Sequence, residues 1–212
     1  MKNFDITYNH FIRSFVLLIF MMIISSCGDK KGSDPKPELV LSDSVAVKTK
    51  AKSLLGKNLK FTYAGNFDED SLEEVAAGIE VSETPNWGIR FVLLKKDGAQ
   101  LVKRFETDIL NGSFKESLVK KIMLPNYKHE MIYYNSQDYY WGSAGGEVFA
   151  YLIDFREGKT FYAHLFSETR GPVELFLSKN MSDTQIQKFF ISEFKKDYPE
   201  LRLASEDVSL EF

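Results

Sequence analysis

The chain has 212 residues, with 27 basic and 30 acidic side chains and a formal net charge of −3. This slightly acidic balance argues against nucleic acid as a partner and against a polybasic contact with a membrane, because both need an excess of Lys and Arg. Phenylalanine (18) and tyrosine (10) are frequent while proline (6) is rare, which is typical of a sheet-rich fold with a bulky core.

The N-terminal region contains one short apolar segment followed by the only cysteine of the chain. The segment covers residues 15–24, about half of the roughly 20 residues that a helix needs to cross a bilayer, and it has the length of a signal-peptide core. Lys2 and Arg13 precede it and provide a positively charged start. An aliphatic residue, two small residues and the cysteine follow: Ile24, Ser25, Ser26 and Cys27.

This four-residue pattern resembles the lipobox of bacterial lipoproteins. The resemblance implies that residues 1–26 are a lipoprotein signal peptide, that Cys27 is lipidated, and that the protein is anchored in the bacterial cell envelope, at either the inner or the outer membrane. Stable anchoring needs two or more acyl chains, because one chain binds only marginally. The alternative is a secretory signal with an incidental cysteine, or a short buried apolar segment.

The region after the cysteine predicts a tether and then one domain. Residues 28–37 contain only Gly, Asp, Lys, Ser and Pro, so the predicted tether at residues 27–38 should be flexible. Residues 39–212 are numerous enough to form a single domain with its own core.

A helix is predicted at the start of this domain, over residues 42–55. Ser42 or Ser44 can cap its N-terminus, and Gly56 lies just beyond its end. Its apolar face is formed by Val47, Ala51, Leu54 and Leu55.

Strands are predicted next, beginning with residues 59–64, in which Leu59, Phe61 and Tyr63 alternate with the other three residues and form one buried face. Residues 74–81 and 89–95 form the next two strands, joined by a loop that contains Pro85, Trp87 and Gly88. Residues 96–98 form a hairpin turn, and residues 100–105 return as another strand.

The middle of the chain contains a second copy of this arrangement. Residues 129–158 align with residues 73–98, so that Glu130 matches Glu74 and Trp141 matches Trp87. Each copy is a strand, a loop with an aromatic residue and glycine, a second strand and a charged turn, and periods near 50 residues are typical of sheet-based repeats. The alternative is a coincidence between two hairpins of similar composition.

The C-terminal third predicts strands over residues 160–167 and 172–177, and then a helix over residues 183–197. A capping box begins at Ser182, and Ile186, Phe189, Phe190 and Phe194 follow at helical spacing. The predicted fold class is therefore mainly β of the α+β type: antiparallel sheets from about two hairpin repeats, with a C-terminal amphipathic helix.

One motif suggests metal chemistry. Oxygen-bearing side chains occur at alternate positions in the loop after the first strand, where Leu72 can add its carbonyl: Asn66, Asp68, Asp70 and Glu74. Calcium takes six to eight oxygen ligands, which a tightly coiled acidic loop can supply. The alternative is an acidic turn that only contacts solvent.

Because strands flank this loop, it resembles the calcium loop of FG-GAP/VCBS-type repeats from integrin-like β-propellers. Gly65, Asn66, Asp68, Asp70 and Glu74 match the repeat pattern. The resemblance implies calcium as a cofactor and a propeller-like repeat. Glu69 and Ser71 replace two loop glycines of the family, and Ser71 resists the positive φ that such loops often demand.

Other candidate residues have a weaker basis. Tyr139, Tyr140 and Trp141, near Gly145 and Gly146, could form an aromatic binding loop or could cover one end of the core. His129 and His164 stand alone in the sequence, so no catalytic motif is visible.

The leading functional hypothesis is a non-enzymatic binding or assembly module, anchored to a membrane and recognising an envelope protein or a glycan. The rival hypothesis is an envelope hydrolase, or another enzyme whose catalytic residues form no recognisable motif. A deep pocket that gathers either histidine with carboxylates would favour the enzyme, and a flat aromatic patch would favour the binding module.

Overall fold

The computed structural model describes residues 38–70, 74–83, 86–112, 118–136 and 145–204. Within these residues the fold is mainly β, as predicted, with ten strands and two helices. In chain order the elements are α1 (Ser44–Leu55), β1 (Leu59–Gly65), β2 (Glu74–Glu83), β3 (Asn86–Asp97), β4 (Gln100–Glu106), β5 (Val119–Ile122), β6 (Met131–Asn135), β7 (Gly145–Asp154), β8 (Lys159–Glu168), β9 (Val173–Leu177), α2 (Thr184–Lys195) and β10 (Arg202–Leu203).

The strands form two sheets that follow the chain order. The first sheet has the order β1-β2-β3-β4, and all of its pairs are antiparallel. The second has the order β10-β9-β8-β7-β6-β5 and is antiparallel except for the short parallel pair of β9 and β10. The predicted hairpins lie one in each sheet, as β2–β3 and as β6–β7. The aligned Trp141 lies outside the described residues.

Both sheets are buried on both faces. Ala76 and Phe91 point into a core shared by the two sheets, where the Phe91 and Tyr134 rings lie 5.7 Å apart. Their neighbours Ala77 and Val92 pack on the opposite face, in a cluster with Val47 and Ala51 of α1. The first sheet therefore lies between α1 and the second sheet, because successive strand residues point to opposite faces.

The second sheet follows the same rule. Ile132 and Ile153 pack into the shared core, whereas Tyr133 and Leu152 pack on the other face against α2. The predicted residues of α2 do form its apolar face: Ile186, Phe190 and Phe194 are buried, and Phe189 is partly buried. The layers are thus helix, sheet, sheet and helix.

The structure corrects several details of the sequence-based prediction. Asp43, and neither Ser42 nor Ser44, caps α1, since its Oδ1 accepts from the amides of Val45 and Ala46 at 3.0 Å. Asp183 caps α2 in place of Ser182 and accepts from the Gln185 amide. In both cases an aspartate stands beside the serine, and its ionised carboxylate is the stronger partner for amides at the positive end of the helix.

The predicted loop containing Trp87 and Gly88 is also wrong, because both residues belong to β3. Leu54 is exposed and does not share the buried face of α1. β5 and β10 were not predicted. No described helix is long and apolar enough to cross a membrane.

Basic side chains lie on the outermost strands of both sheets. The edge strands β1 and β4 of the first sheet and β5 and β10 of the second are two to seven residues long. They carry Lys60, Lys103, Arg104, Lys120, Lys121 and Arg202.

Candidate metal site

Four connections meet at one end of the two sheets. The antiparallel order places the turns after β1, β3, β5 and β7 at this end. The Glu130 amide donates to the Asn66 carbonyl at 2.6 Å, and the Phe67 and Phe155 rings pack edge to face with 5.6 Å between their centres. Loops from both sheets therefore surround one region, which contains the acidic motif.

The acidic motif brings three of its predicted ligands together. Ligand oxygens of Asp68, Asp70 and Glu74 all lie within 4.8 Å of one another. Asp70 is exposed, Asp68 is half-buried and Glu74 is 0% exposed. The spacing seen in the sequence thus corresponds to a compact group of carboxylates. The predicted carbonyl of Leu72 lies outside the described residues.

Hydrogen bonds within the loop set its curvature. The Asn66 Oδ1 accepts from the Glu69 amide at 3.0 Å, and the Asp68 Oδ1 accepts from the Asp70 amide at 2.9 Å. Glu69 adopts a φ of +69°, so the left-handed position falls on one of the residues that replace the family glycines. Asn66, the remaining predicted ligand, shapes the turn with its side-chain oxygen.

Glu74 is the unusual member of the group. Its Oε2 accepts from the Phe67 amide at 2.8 Å, while its Oε1 is buried without a hydrogen-bond partner among the described residues. Burial, reinforced by the neighbouring Asp68 carboxylate, raises the pKa of Glu74 to about 8. Asp68 behaves in the opposite way: burial alone would raise its pKa, but contacts with Glu74 and Asp70 and the charge of Lys95 hold that pKa below its usual range.

Lys95 supplies a cation at the centre of the carboxylates. Its Nζ lies 2.6 Å from Asp70 Oδ2, 3.4 Å from Asp68 Oδ2 and 3.9 Å from Glu74 Oε1. Sequence reasoning missed this residue. The pairing of β2 with β3 places Lys95 directly opposite Glu74, so the strand register was the signal that could have found it.

Glu69 joins the same loop to the second sheet. Its Oε1 lies 2.6 Å from Arg156 Nη1 and 3.5 Å from His129 Nδ1. On the other side of the ring, His129 Nε2 lies 3.0 Å from Asp154 Oδ1. The histidine that stands alone in the sequence is therefore placed between two carboxylates. Because the ring is only 1% exposed, a substrate cannot reach it in this conformation, and we assign it a structural role.

The remaining predicted residues lie elsewhere or outside the described part. His164 Nε2 lies 3.1 Å from Glu147 Oε2, and its ring stacks on Phe149 at 4.4 Å. Burial lowers the pKa of His164, although Glu147 opposes the shift. Tyr139, Tyr140 and Trp141, predicted as a binding loop, lie outside the described residues, and so does Cys27.

Comparison with known proteins identified no relative: no protein-family model, no curated protein and no solved structure matches the chain. The candidate site is therefore defined by its own geometry, a loop of three convergent carboxylates with a lysine ammonium among them.

Proposed function

We propose that the protein is a membrane-anchored envelope lipoprotein whose folded domain is a non-enzymatic binding module that binds calcium at residues 66–74. Asp68, Asp70 and Glu74 are the side-chain ligands, and Asn66 and the carbonyl of Leu72 complete the set supplied by the protein. The observation that carries the metal site is the Glu74 Oε1, a buried acceptor that has no hydrogen-bond partner among the described residues and lies beside two further carboxylates.

The donor set favours calcium over other metals. Its ligands are all hard oxygens, without the nitrogen or sulfur that zinc and copper prefer. Magnesium demands a nearly ideal octahedron, whereas calcium accepts irregular sets of six to eight oxygens from a flexible loop. A calcium ion would also supply the charge that a buried, ionised Glu74 needs, since a buried carboxylate is costly unless it is paired.

Lys95 makes this a site of moderate affinity. Its ammonium already neutralises part of the negative charge, so calcium has to displace it from Asp68 and Asp70. We expect a dissociation constant of about 10⁻⁴–10⁻³ M, the range of extracytoplasmic calcium modules. Because Lys95 remains available as a counter-ion, the domain is expected to stay folded without metal.

Calcium should raise the melting temperature of the wild-type protein. At about 10 mM calcium the expected stabilisation is about 1.4–2.7 kcal/mol, or about 3–10 °C for a domain of this size. Glu74→Gln should remove this increase, since it replaces the carboxylate with a neutral group of the same shape. Asp68→Ala should remove it as well, and it should also lower the melting temperature in EDTA slightly, because Asp68 accepts from the Asp70 amide and pairs with Lys95.

The matched control is Glu80→Gln, which removes a carboxylate from the same strand. Glu80 pairs with Lys60, outside the acidic loop, so this variant should keep the full response to calcium. Melting curves of the wild type that coincide in EDTA and in about 10 mM calcium would show that the loop is only an acidic turn.

The proposed anchor makes a separate prediction. Cells that express the protein should incorporate labelled palmitate into it, and the protein should partition into detergent, because two or more acyl chains anchor a protein stably. Cys27→Ala should abolish both results and Cys27→Ser should do the same, since a hydroxyl is not a lipidation site. A wild-type protein that is unlabelled and stays in the aqueous phase would disprove the lipoprotein assignment.

A further inference from the structure

A groove lies beside the acidic loop and shares one of its residues. It has a volume of about 510 Å³, which is within the range of pockets for small organic ligands. Strands β3 and β4 form one side, and the turn between β7 and β8 forms the other. Asp68 belongs both to this lining and to the carboxylate group, so the groove and the proposed metal site are adjacent.

The groove combines an aromatic floor with basic walls. Phe105 packs edge to face on the buried Phe155, with 5.8 Å between their ring centres, and the partly exposed Phe105 ring provides apolar surface. Lys95, Arg104 and Arg156 line the same groove. Arginine guanidinium groups bind carboxylates through two parallel hydrogen bonds. An exposed aromatic ring offers a large apolar surface, on which the apolar face of a sugar ring can pack.

A β-bulge in β4 builds this surface. Leu93 pairs with Phe105 and Leu94 pairs with Lys103, so that Arg104 has no opposite residue in the ladder. The extra residue reverses the faces of the strand: Leu101 packs in the cluster with α1, whereas Phe105, four positions later, packs against the core between the sheets. Bulges often redirect side chains beside binding sites. Here the bulge places Arg104 and Phe105 in the groove.

Arg104 is the basic residue that is most available for a ligand. It is exposed and forms no ion pair with any described residue, whereas Arg156 already pairs with Glu69 and Lys95 pairs with Asp68 and Asp70. Arg104 can therefore bind an added anion without first breaking an ion pair with another described residue.

We propose that the groove binds an acidic sugar, with its carboxylate on Arg104 and its apolar face on Phe105, and that calcium in the neighbouring loop strengthens this binding by releasing Lys95. The coupling rests on the proposed calcium site, whereas the groove itself does not.

The charges around the two sites explain the coupling. Without metal, the three basic side chains of the groove face four ionised carboxylates in the loop and the lining: Asp68, Glu69, Asp70 and Glu157. An added anion is then opposed by this excess of negative charge. Calcium adds two positive charges and replaces the Lys95 ammonium at Asp68 and Asp70, so that Lys95 can turn toward the ligand.

The test is calorimetric titration of the full chain in detergent with digalacturonate. We expect binding in both EDTA and calcium, about tenfold tighter in calcium, because energetic coupling between sites is typically 5–150-fold. Arg104→Gln should weaken binding about tenfold in both conditions and leave the calcium-dependent melting temperature unchanged. Lys103→Gln, the same loss of charge at the preceding position of β4, should bind as the wild type does.

Lys95→Gln separates the coupling from the groove. This variant should bind calcium more tightly, because no ammonium competes for the carboxylates, and calcium should then change its digalacturonate affinity much less than in the wild type. Equal digalacturonate affinities of the wild type in EDTA and in calcium, in a protein that calcium still stabilises, would overturn the coupling but not the calcium site.

The remaining outcomes test whether the groove is a binding site and which class of ligand it binds. Absence of digalacturonate binding, or equal weakening by Arg104→Gln and Lys103→Gln, would overturn the groove as a binding site. If inorganic phosphate binds as tightly as digalacturonate, the sugar ring does not contribute to recognition. If a neutral disaccharide binds as tightly as digalacturonate, the carboxylate does not contribute. If calcium fails to stabilise the protein, the proposed metal site fails, and the Arg104→Gln result in EDTA still decides the groove.

Discussion

Replacing Phe190 with alanine is expected to lower the free energy of unfolding by about 3–5 kcal/mol. The ring is completely buried between α2 and the second sheet, and its centre lies 6.1 Å from that of Tyr133. Truncation removes the transfer free energy of the ring and leaves a cavity, because Ile186 and Phe194 are held on the helix on either side of it. Urea denaturation followed by circular dichroism measures the change.

A second variant keeps this prediction testable if the alanine variant does not fold. Phe190→Leu keeps most of the apolar volume and should cost clearly less than Phe190→Ala. Lys188→Ala is the control, because Lys188 lies on the exposed face of the same helix and surface changes usually stay within about 0.5 kcal/mol. Equal stabilities of Phe190→Ala and Lys188→Ala would show that α2 does not contribute to the core.

Gly88→Ala is the second substitution with a large expected effect. A Cβ at this position would lie 2.2 Å from the Leu110 carbonyl oxygen, and Gly88 has a φ of +154°. The clash involves backbone that is fixed by two hydrogen bonds between Ile89 and Leu110, so it cannot be relieved by rotating a side chain. Overpacking and backbone strain each cost about 1–3 kcal/mol, and thermal unfolding should show their combined effect.

Gly98→Ala separates the two contributions. Gly98 also has a positive φ, +56°, but a Cβ there would meet no atom of the described residues within 4 Å. This variant should therefore lose only the stability that a positive φ costs an alanine, about 1 kcal/mol. This loss is smaller than the one expected for Gly88→Ala. If the two variants lose the same stability, close packing at Leu110 is not what requires glycine at position 88.

Periodicity in the sequence predicts most of the elements, because it reflects the burial of alternate or helically spaced residues. The spacing of Ile186, Phe189, Phe190 and Phe194 matches the i, i+3, i+4, i+8 pattern of a helix with one apolar face, and α2 has that face. Element ends are less certain for a physical reason. Ser and Asp both cap helices well, and at both helix starts they stand side by side, so the composition does not decide between them.

Features that depend on contacts between distant strands could not be predicted. The bulge at Arg104 depends on how β4 pairs with β3, and it makes side chains on the two halves of β4 point to different faces of the sheet. No local sequence pattern encodes this pairing. The contact of Glu69 with His129 and Arg156 depends on how the two sheets stack. Burial of both strand faces did leave a signal: residues 75–79 and 91–94 are nearly continuously apolar, as in strands covered on both sides.

The carboxylates of the acidic loop were predicted because all of them lie within one short segment. Their counter-ion was not, since Lys95 follows Glu74 by a complete hairpin and meets it only across the ladder. The same limitation applies to the groove, which gathers residues from β3, β4 and the turn after β7. Local spacing therefore identifies a candidate ligand loop, and strand pairing is needed to identify its neighbours.

The basic residues on the outermost strands affect how this protein can behave at high local concentration. An open strand edge exposes unpaired amide and carbonyl groups that can pair with another chain, and natural sheets prevent this with charged side chains, especially lysine, and with short edge strands. β5 and β10 are short, and Lys103, Lys120, Lys121 and Arg202 would bring like charges together if two edges approached. The proposed membrane anchor would crowd many copies of the protein into one plane, and the charged edge strands should prevent those copies from pairing into continuous sheets.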